Sequence, residues 1–285
     1  MDPLPGYRIT RQIGTGAGSK ISMAVQLKSG KTFAVKHILR VTAEDQRFLD
    51  QGEVEYKVSH KIDHPHLRHS VHIHRVRKIL AVKEIFLVMD YVDGLTLESA
   101  RPNRLNTFLT IFQKVAAGLD AMHLAGWVHA DIKPTNIMLA AKGVVKIIDF
   151  GQSCALGHRK ERIQGTPDYI APEQVRRMSL DQRTDVFNLG ATMYWVLTSE
   201  KYPTAIRGQD ALSVLTKFVL TDRRPSDVLG LVGGRDFIRA RRFRSTPTLA
   251  NLFLHTTRGT TSRRDGWRRD SRRSTLRAVR SASLR

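Results

Sequence analysis

Apolar and polar residues alternate in five short runs within the first 92 residues, and such alternation is typical of half-buried β-strands. Glycine-containing turn sequences, GTGAGS and KSGK, separate the first three runs. The predicted strands are YRITRQI (7–13), KISMAVQL (20–27), TFAVKHIL (32–39), HSVHIHRVRKI (69–79) and EIFLVMDYV (84–92). The first third of the chain is therefore expected to be a small sheet.

Apolar residues recur with a helical period in three other places. Residues 42–62 are predicted to be helical because Val54, Val58 and Ile62 recur every four positions, and Pro65 marks the break after them. A long amphipathic helix is predicted from Leu105, with Gly126 placed to end it. A third helix is predicted over 183–199, after two short strands, IML and VVKII. A strand-rich part followed by a larger helical part indicates an α+β fold.

The composition of the chain changes near residue 228. Residues 1–228 hold 15 Lys and 17 Arg against 23 acidic residues, whereas residues 229–285 hold 15 Arg, no Lys and three acidic residues. Because no period persists there, we predict that 229–285 is a disordered arginine-rich tail. Three origins are open: a natural arm for nucleic acid or acidic partners, a divergent folded end, or a reading-frame shift near codon 228. The abrupt loss of lysine favours the third.

The remaining composition excludes several classes of protein. No run of about 18 apolar residues predicts a membrane span, and the first residues do not resemble a signal peptide. Cys154 is the only cysteine, which excludes an internal disulfide and fits the reducing cytoplasm as the expected location.

Three glycines, Gly14, Gly16 and Gly18, lie between the first two predicted strands. Such a segment lets backbone N–H groups approach a phosphate, although it fits a tight hairpin as well. A dinucleotide fold would need a helix after the glycines, and here a strand follows.

A lysine that ends an apolar strand needs an anion, because an unpaired buried ammonium is costly. Lys36 ends FAVK, and the following helix offers two glutamates. Of Glu53 and Glu55, we prefer Glu55 as the partner. An exposed lysine on an edge strand remains the alternative.

Four polar residues beside short apolar strands suit phosphoryl transfer. Asp131 can take a proton from an attacking hydroxyl or orient it, and Lys133 can neutralise a transferring phosphoryl group. Asn136 precedes one strand and Asp149 ends another, so both can offer oxygen to Mg²⁺. Positioning and charge neutralisation supply most of the catalysis in such reactions.

With these motifs in this order, residues 7 to about 200 resemble a eukaryotic-type (Hanks-type) serine/threonine protein kinase of the bacterial kind. The resemblance implies a bilobal fold, with an antiparallel sheet and one helix in the N-lobe (1–91) and a mainly helical C-lobe (92–228). It implies ATP and Mg²⁺ as cofactors and a protein substrate with a serine or threonine acceptor. GTPDYIAPE (165–173) resembles the end of an activation segment, and Asp185 is expected to bond the catalytic-loop backbone.

The resemblance also assigns individual roles. The catalytic residues it implies are Asp131, Lys133, Lys36 and Glu55. Asn136 and Asp149 are the implied metal ligands. The residues assigned to ATP binding are Gly14, Thr15, Gly16, Ala17, Gly18, Ser19, Ala34, Lys36, Met89, Asp90 and Val92. Among them Met89 is the expected gatekeeper, and the backbone of Asp90 and Val92 is expected to meet the adenine. Oligomeric state is left open.

Two departures from the family pattern bear on regulation and stability. Ala130 replaces an arginine that pairs with a phosphorylated activation-loop residue in many relatives, so we expect activity without loop phosphorylation. Glu173 should pair with an arginine near the end of the C-lobe, but no Arg-Pro pair occurs late enough. We therefore expect Glu173 to be either buried without a partner or exposed. A pseudokinase scaffold and a nucleic-acid-binding protein acting through the tail are the alternative functions.

Overall fold

The structure is a computed structural model that describes residues 4–202, apart from 17 and 80, and residue 204. Its strands are β1 (Tyr7–Gly16), β2 (Ser19–Gln26), β3 (Thr32–Leu39), β4 (Ser70–Lys78), β5 (Ala81–Asp90), β6 (Gly94–Thr96), β7 (Trp127–Val128), β8 (Ile137–Ala140), β9 (Val144–Ile147) and β10 (Cys154–Ala155). Its helices are α1 (Gln46–Lys61), α2 (Leu105–Leu124), α3 (Pro172–Val175) and α4 (Gln182–Thr198). Ala17, residues 205–228 and the tail 229–285 lie outside the described residues.

The N-lobe is a five-stranded antiparallel sheet in the order β1-β2-β3-β5-β4. Apolar side chains cover both of its faces, and α1 packs on one of them through Leu49 and Phe48. The helix begins at Gln46 rather than at residue 42, since the Asp45 carboxylate accepts the N–H groups of Val41 and Thr42 and holds them in a turn. The predicted α+β class is confirmed.

The C-lobe is built on α2 and α4. The apolar face predicted for α2 lies in the core from Phe108 to Met122, whereas Leu105 is 48% exposed. Gly126, with φ +84°, follows the end of that helix. A three-stranded sheet, β6-β8-β9, and the pair β7-β10 lie beside the helices. Strand β6 was not predicted, because its three residues are too few to show a period.

One apolar cluster joins the lobes. Val58 and Ile62 at the end of α1, together with Leu67, share the C-lobe core with Phe150. The end of α1 is therefore seated against the segment that carries Asp149. Cys154 is buried, and among the described residues no helix is long and apolar enough to cross a membrane.

Candidate active site

Lys36 on β3 and Glu55 on α1 form the ion pair that the resemblance implied. Lys36 Nζ lies 2.7 Å from Glu55 Oε2 and 3.2 Å from Asp149 Oδ1. Glu53, the alternative partner, instead pairs with Arg75 on the protein surface. Burial alone would lower the pKa of Lys36, but the two carboxylates outweigh it and raise the pKa above its ordinary value. Lys36 is thus held as a cation between two anions.

A second cation, which the sequence analysis did not identify, contacts the same glutamate. Arg68 Nη2 donates to Glu55 Oε1 at 3.0 Å, and the two side chains are 7% and 0% exposed. The backbone N–H of Arg68 donates to the carbonyl of Ile147, the last residue of β9. Arg68 therefore connects α1 to the strand that leads to Asp149.

Asp149 has a left-handed backbone (φ +63°) directly after β9. Burial alone would raise its pKa, but the neighbouring Lys36 ammonium, with Arg68 and His129, lowers it to about 2. The carboxylate remains ionised across the physiological range, and its side chain is 42% exposed. A charged and accessible carboxylate can bind a cation.

The catalytic loop, residues 129–136 between β7 and β8, holds Asp131 with donors on both of its oxygens. Lys133 Nζ donates to Asp131 Oδ2 at 2.8 Å, and Thr166 Oγ1 donates to Asp131 Oδ1 at 2.8 Å. Lys133 also donates to Thr166 Oγ1 at 2.8 Å, which closes a triangle of side chains. The loop and the segment before α3 are thereby joined at the carboxylate expected to act as the base.

Asn136 is turned so that its nitrogen faces the loop. Nδ2 donates to the Asp131 backbone oxygen at 2.9 Å and to Oδ2 at 3.3 Å. This orientation leaves the amide oxygen as the atom that a metal would bind. Ile148, just before Asp149, donates its N–H to the Asn136 carbonyl at 2.9 Å, so the two implied ligands lie on bonded segments. Carboxylate and amide oxygens fit Mg²⁺, which takes few protein ligands besides water and phosphate.

The backbone of the catalytic loop is anchored from α4. Asp185, fully buried, accepts the Ala130 N–H at 2.7 Å and the His129 N–H at 2.9 Å. His123 contacts the same carboxylate at 2.8 Å through Nε2. Ala130 has φ +61°, a conformation that costs a non-glycine residue about 1–2 kcal/mol. These bonds to Asp185 hold the strained residue beside Asp131.

The glycine-rich segment forms the end of the β1–β2 hairpin. Gly18 has φ +66°, and a Cβ added there would lie 2.3 Å from the ring of Phe48 on α1. Ser19, at the position where the family pattern has glycine, begins β2 with 9% exposure. Within the described part of the chain its Oγ has no hydrogen-bond partner, so a phosphate oxygen would satisfy it. A tight cradle and an unsatisfied hydroxyl fit a phosphate, whereas Ala17 is not among the described residues.

The expected adenine contacts lie where β3 and β5 pair. Ala34 is opposite Met89, and both are buried. Asp90 donates its N–H to the His69 carbonyl at 3.0 Å, so an adenine contact would use the Asp90 carbonyl. Val92 follows β5 and is half-buried.

The residues around α3 differ from both expectations for Glu173. Glu173 is half-buried and accepts a hydrogen bond from Thr184 Oγ1 at 2.8 Å, so it is neither orphaned nor fully exposed. Its neighbour Gln174 is 3% exposed and donates to the carbonyls of Ala130 (2.8 Å) and Gln164 (3.0 Å). Sequence reasoning missed Gln174, whose bond to Ala130 spans 44 positions of the chain.

Comparison with known families matches residues 7–225 to the protein kinase domain. The chain belongs to the protein kinase family. The matched range ends at residue 225, just before the composition changes near residue 228. The match therefore does not include the tail 229–285, and the origin of that tail stays a prediction.

The curated relatives are bacterial serine/threonine kinases, as the resemblance implied. PknB of Mycobacterium tuberculosis is 30% identical over 229 residues, covering 77% of this chain and 36% of the relative. PknA of the same species is 32% identical over 222 residues, covering 75% and 51%. A probable PknB of Bifidobacterium longum is 31% identical over 211 residues, covering 67% and 30%. The chain thus spans about a third to a half of the length of these relatives.

Proposed function

We propose that this domain transfers the γ-phosphoryl group of Mg²⁺-bound ATP to serine or threonine hydroxyls of proteins. The observation that carries the proposal is the joining of two side-chain clusters. Lys36 and Asp149 form one, suited to phosphate and metal, and Asp131 and Lys133 form the other, suited to the acceptor. The backbone bond from Ile148 to Asn136 links them.

In the proposed reaction the acceptor oxygen forms a bond to the γ-phosphorus, and the bond from that phosphorus to the β-γ bridging oxygen breaks. Asp131 receives the hydroxyl proton, and ADP leaves with the bridging oxygen. Mg²⁺, when bound, would neutralise charge on the phosphates. Lys133 places a positive charge beside Asp131, and Lys36 holds one beside Asp149.

The preference for serine and threonine is supported by the Lys133–Thr166 contact at 2.8 Å, which follows the serine/threonine version of the family pattern. The names of the bacterial relatives agree with this preference.

Phosphorylation of a generic basic protein tests the activity. We expect incorporation of γ-phosphate with the unmodified chain and loss of incorporation in Asp149→Ala and Lys36→Met, each checked for folding. A well-folded unmodified chain with no more turnover than Asp149→Ala would instead establish the pseudokinase alternative.

We further propose that turnover requires no phosphorylation of the activation segment. Ser153 is the only hydroxyl between Asp149 and Gly165, and it is 6% exposed. Ala130 is packed in an apolar cluster with Val128, Cys154 and Leu180, so this position offers no guanidinium for a phosphate. The one acceptor hydroxyl before Gly165 is therefore buried, and the position expected to bind its phosphate is apolar.

Phosphatase treatment followed by an immediate rate measurement tests this second proposal. We expect the treated protein and a Ser153→Ala variant to keep the untreated rate. Loss of activity on dephosphorylation, with recovery only after autophosphorylation, would overturn it without affecting the assignment of phosphoryl transfer.

A further inference from the structure

Four charged side chains of alternating sign form a chain behind the active site. Arg68 contacts Glu55, Glu55 contacts Lys36, and Lys36 contacts Asp149, at 3.0, 2.7 and 3.2 Å. Two cations and two anions balance. Arg68, Glu55 and Lys36 are 13% exposed or less, whereas Asp149, at the end of the chain, is 42% exposed. A buried glutamate held by one cation would depend entirely on that cation, whereas Glu55 uses a separate oxygen for each of two.

The two cations differ in what else binds them. Lys36 also faces Asp149, and in the proposed reaction it would contact phosphate. The printed side-chain contact of Arg68 is with Glu55, and its backbone N–H is fixed to the Ile147 carbonyl at 2.9 Å. The next residues upstream are fixed as well: Lys146 Nζ donates to the Leu67 carbonyl at 2.9 Å. The backbone that carries the Arg68 guanidinium is therefore hydrogen-bonded to β9.

Further polar contacts hold the same end of α1. Ser59 Oγ donates to the Glu55 backbone carbonyl at 2.5 Å and lies 2.6 Å from Ser70 Oγ, and His60 Nδ1 contacts the Ser70 carbonyl at 2.8 Å. These bonds position the last turn of the helix but do not contact the Glu55 carboxylate. Arg68 alone connects that carboxylate to β9 among the described residues.

We infer that Arg68 is a positioning residue that holds Glu55, and with it α1, in the catalytic arrangement independently of Lys36. Lys36 can then exchange partners among Glu55, Asp149 and phosphate without release of the helix. The consequence for catalysis rests on the proposed kinase function, whereas the effect on the helix does not.

Hydrogen exchange of the 285-residue chain without nucleotide tests the inference. In Arg68→Met, which keeps the bulk and removes the charge, we expect amide exchange in the second half of α1 to accelerate about tenfold or more. Lys36→Met should leave these amides close to the unmodified rate. Arg75→Met is the matched control, since it breaks the exposed Glu53 pair on the same helix and should change little.

Two results would overturn the inference. One is unchanged α1 exchange in Arg68→Met, or exchange raised equally in Lys36→Met. The other is acceleration spread evenly over α1 and α2, which would show a general loss of stability rather than release of one helix. Arg68→Lys retains the charge and should give an intermediate effect, which keeps the test valid if Arg68→Met folds poorly.

Steady-state kinetics supply an activity readout. We expect Arg68→Met to lower kcat more than it raises KM for ATP, because Lys36 remains present but Glu55 is less well placed. Arg68→Lys should recover part of kcat. If every variant and the unmodified chain lack turnover, the proposed function fails, and the exchange experiment still decides the role of Arg68.

Discussion

Replacing Gln174 by Met should weaken both folding and turnover. The side chain donates to the Ala130 and Gln164 carbonyls and accepts from the Ala171 N–H (2.9 Å) and Asn188 Nδ2 (3.1 Å). Met has nearly the same volume, so the change removes hydrogen bonds without a large cavity.

The cost follows from the groups left unpaired. A buried donor without a partner costs about 1–3 kcal/mol, and carbonyls tolerate the loss better. The Ala171 N–H would lose its side-chain partner, while Asn188 keeps its bond to the Tyr169 carbonyl at 2.7 Å. We therefore expect a loss of about 2–3 kcal/mol from a stability of about 5–15 kcal/mol.

Activity should fall as well, because the strained Ala130 loses the bond to its carbonyl. We expect kcat to decrease about tenfold at a temperature where the variant is folded, with a smaller change in KM. Thermal unfolding and initial-rate measurements check the two effects. The control is Gln46→Met on exposed surface, expected within about 0.5 kcal/mol. An unchanged Tm together with a kcat within about twofold of the unmodified value would refute this role of Gln174. A twofold change in kcat corresponds to only about 0.4 kcal/mol in activation free energy, which is less than the loss of these hydrogen bonds should cause.

Three other changes have defined outcomes. Gly18→Ala should lower the free energy of unfolding by about 2–4 kcal/mol, because the new Cβ would clash with Phe48 as well as occupy a positive-φ position. Gly30→Ala, also at positive φ (+68°) but with no atom within 4 Å of the new Cβ, should lower it by about 1 kcal/mol. Equal losses in thermal unfolding would refute the role of the Phe48 contact. The stability difference between the unmodified chain and Asp149→Asn, about 1 kcal/mol after solvent screening, should be full above about pH 4 and shrink towards pH 2, because the folded pKa is below the ordinary value; a difference independent of pH in urea titrations would contradict it. Lys133→Ala should lower kcat about a hundredfold with little change in Tm, and unchanged kcat in a rate assay would exclude its role in charge neutralisation.

Periodicity predicted most of the described elements because their burial follows a simple repeat. Val58 and Ile62 are both buried, as the four-residue spacing indicated. The start of α1 was predicted too early because the Asp45 carboxylate accepts the N–H groups of Val41 and Thr42 and forms a turn in place of helix. The pattern of apolar residues does not reveal such side-chain hydrogen bonds. Segment order and turn residues are local properties, and one sequence reports them well.

The contacts of Arg68 and Gln174 could not be predicted in this way. An arginine after Leu67 is expected in solvent, and only the tertiary fold places Glu55 beside it. Gln174 bonds the carbonyl of Ala130, 44 positions earlier in the chain. The partner expected for Glu173 was an arginine near the end of the C-lobe, whereas Thr184, only eleven positions away, donates its hydroxyl to the carboxylate. Such partners depend on packing between elements, which residue type and spacing do not determine.

The two unexpected side chains have a common consequence for the time course of the reaction. Arg68 holds α1 through Glu55, and Gln174 holds the loop through Ala130, so neither arrangement needs a phosphate group to form. Dephosphorylated enzyme mixed with ATP and substrate should therefore produce phosphoprotein linearly from the start. A switch that requires autophosphorylation would instead give a lag that shortens as enzyme concentration rises. Because Arg68→Met and Gln174→Met lower the rate without adding a phosphate-dependent step, their progress curves should be slower but still linear, and a lag in the unmodified protein would show that the two contacts do not suffice.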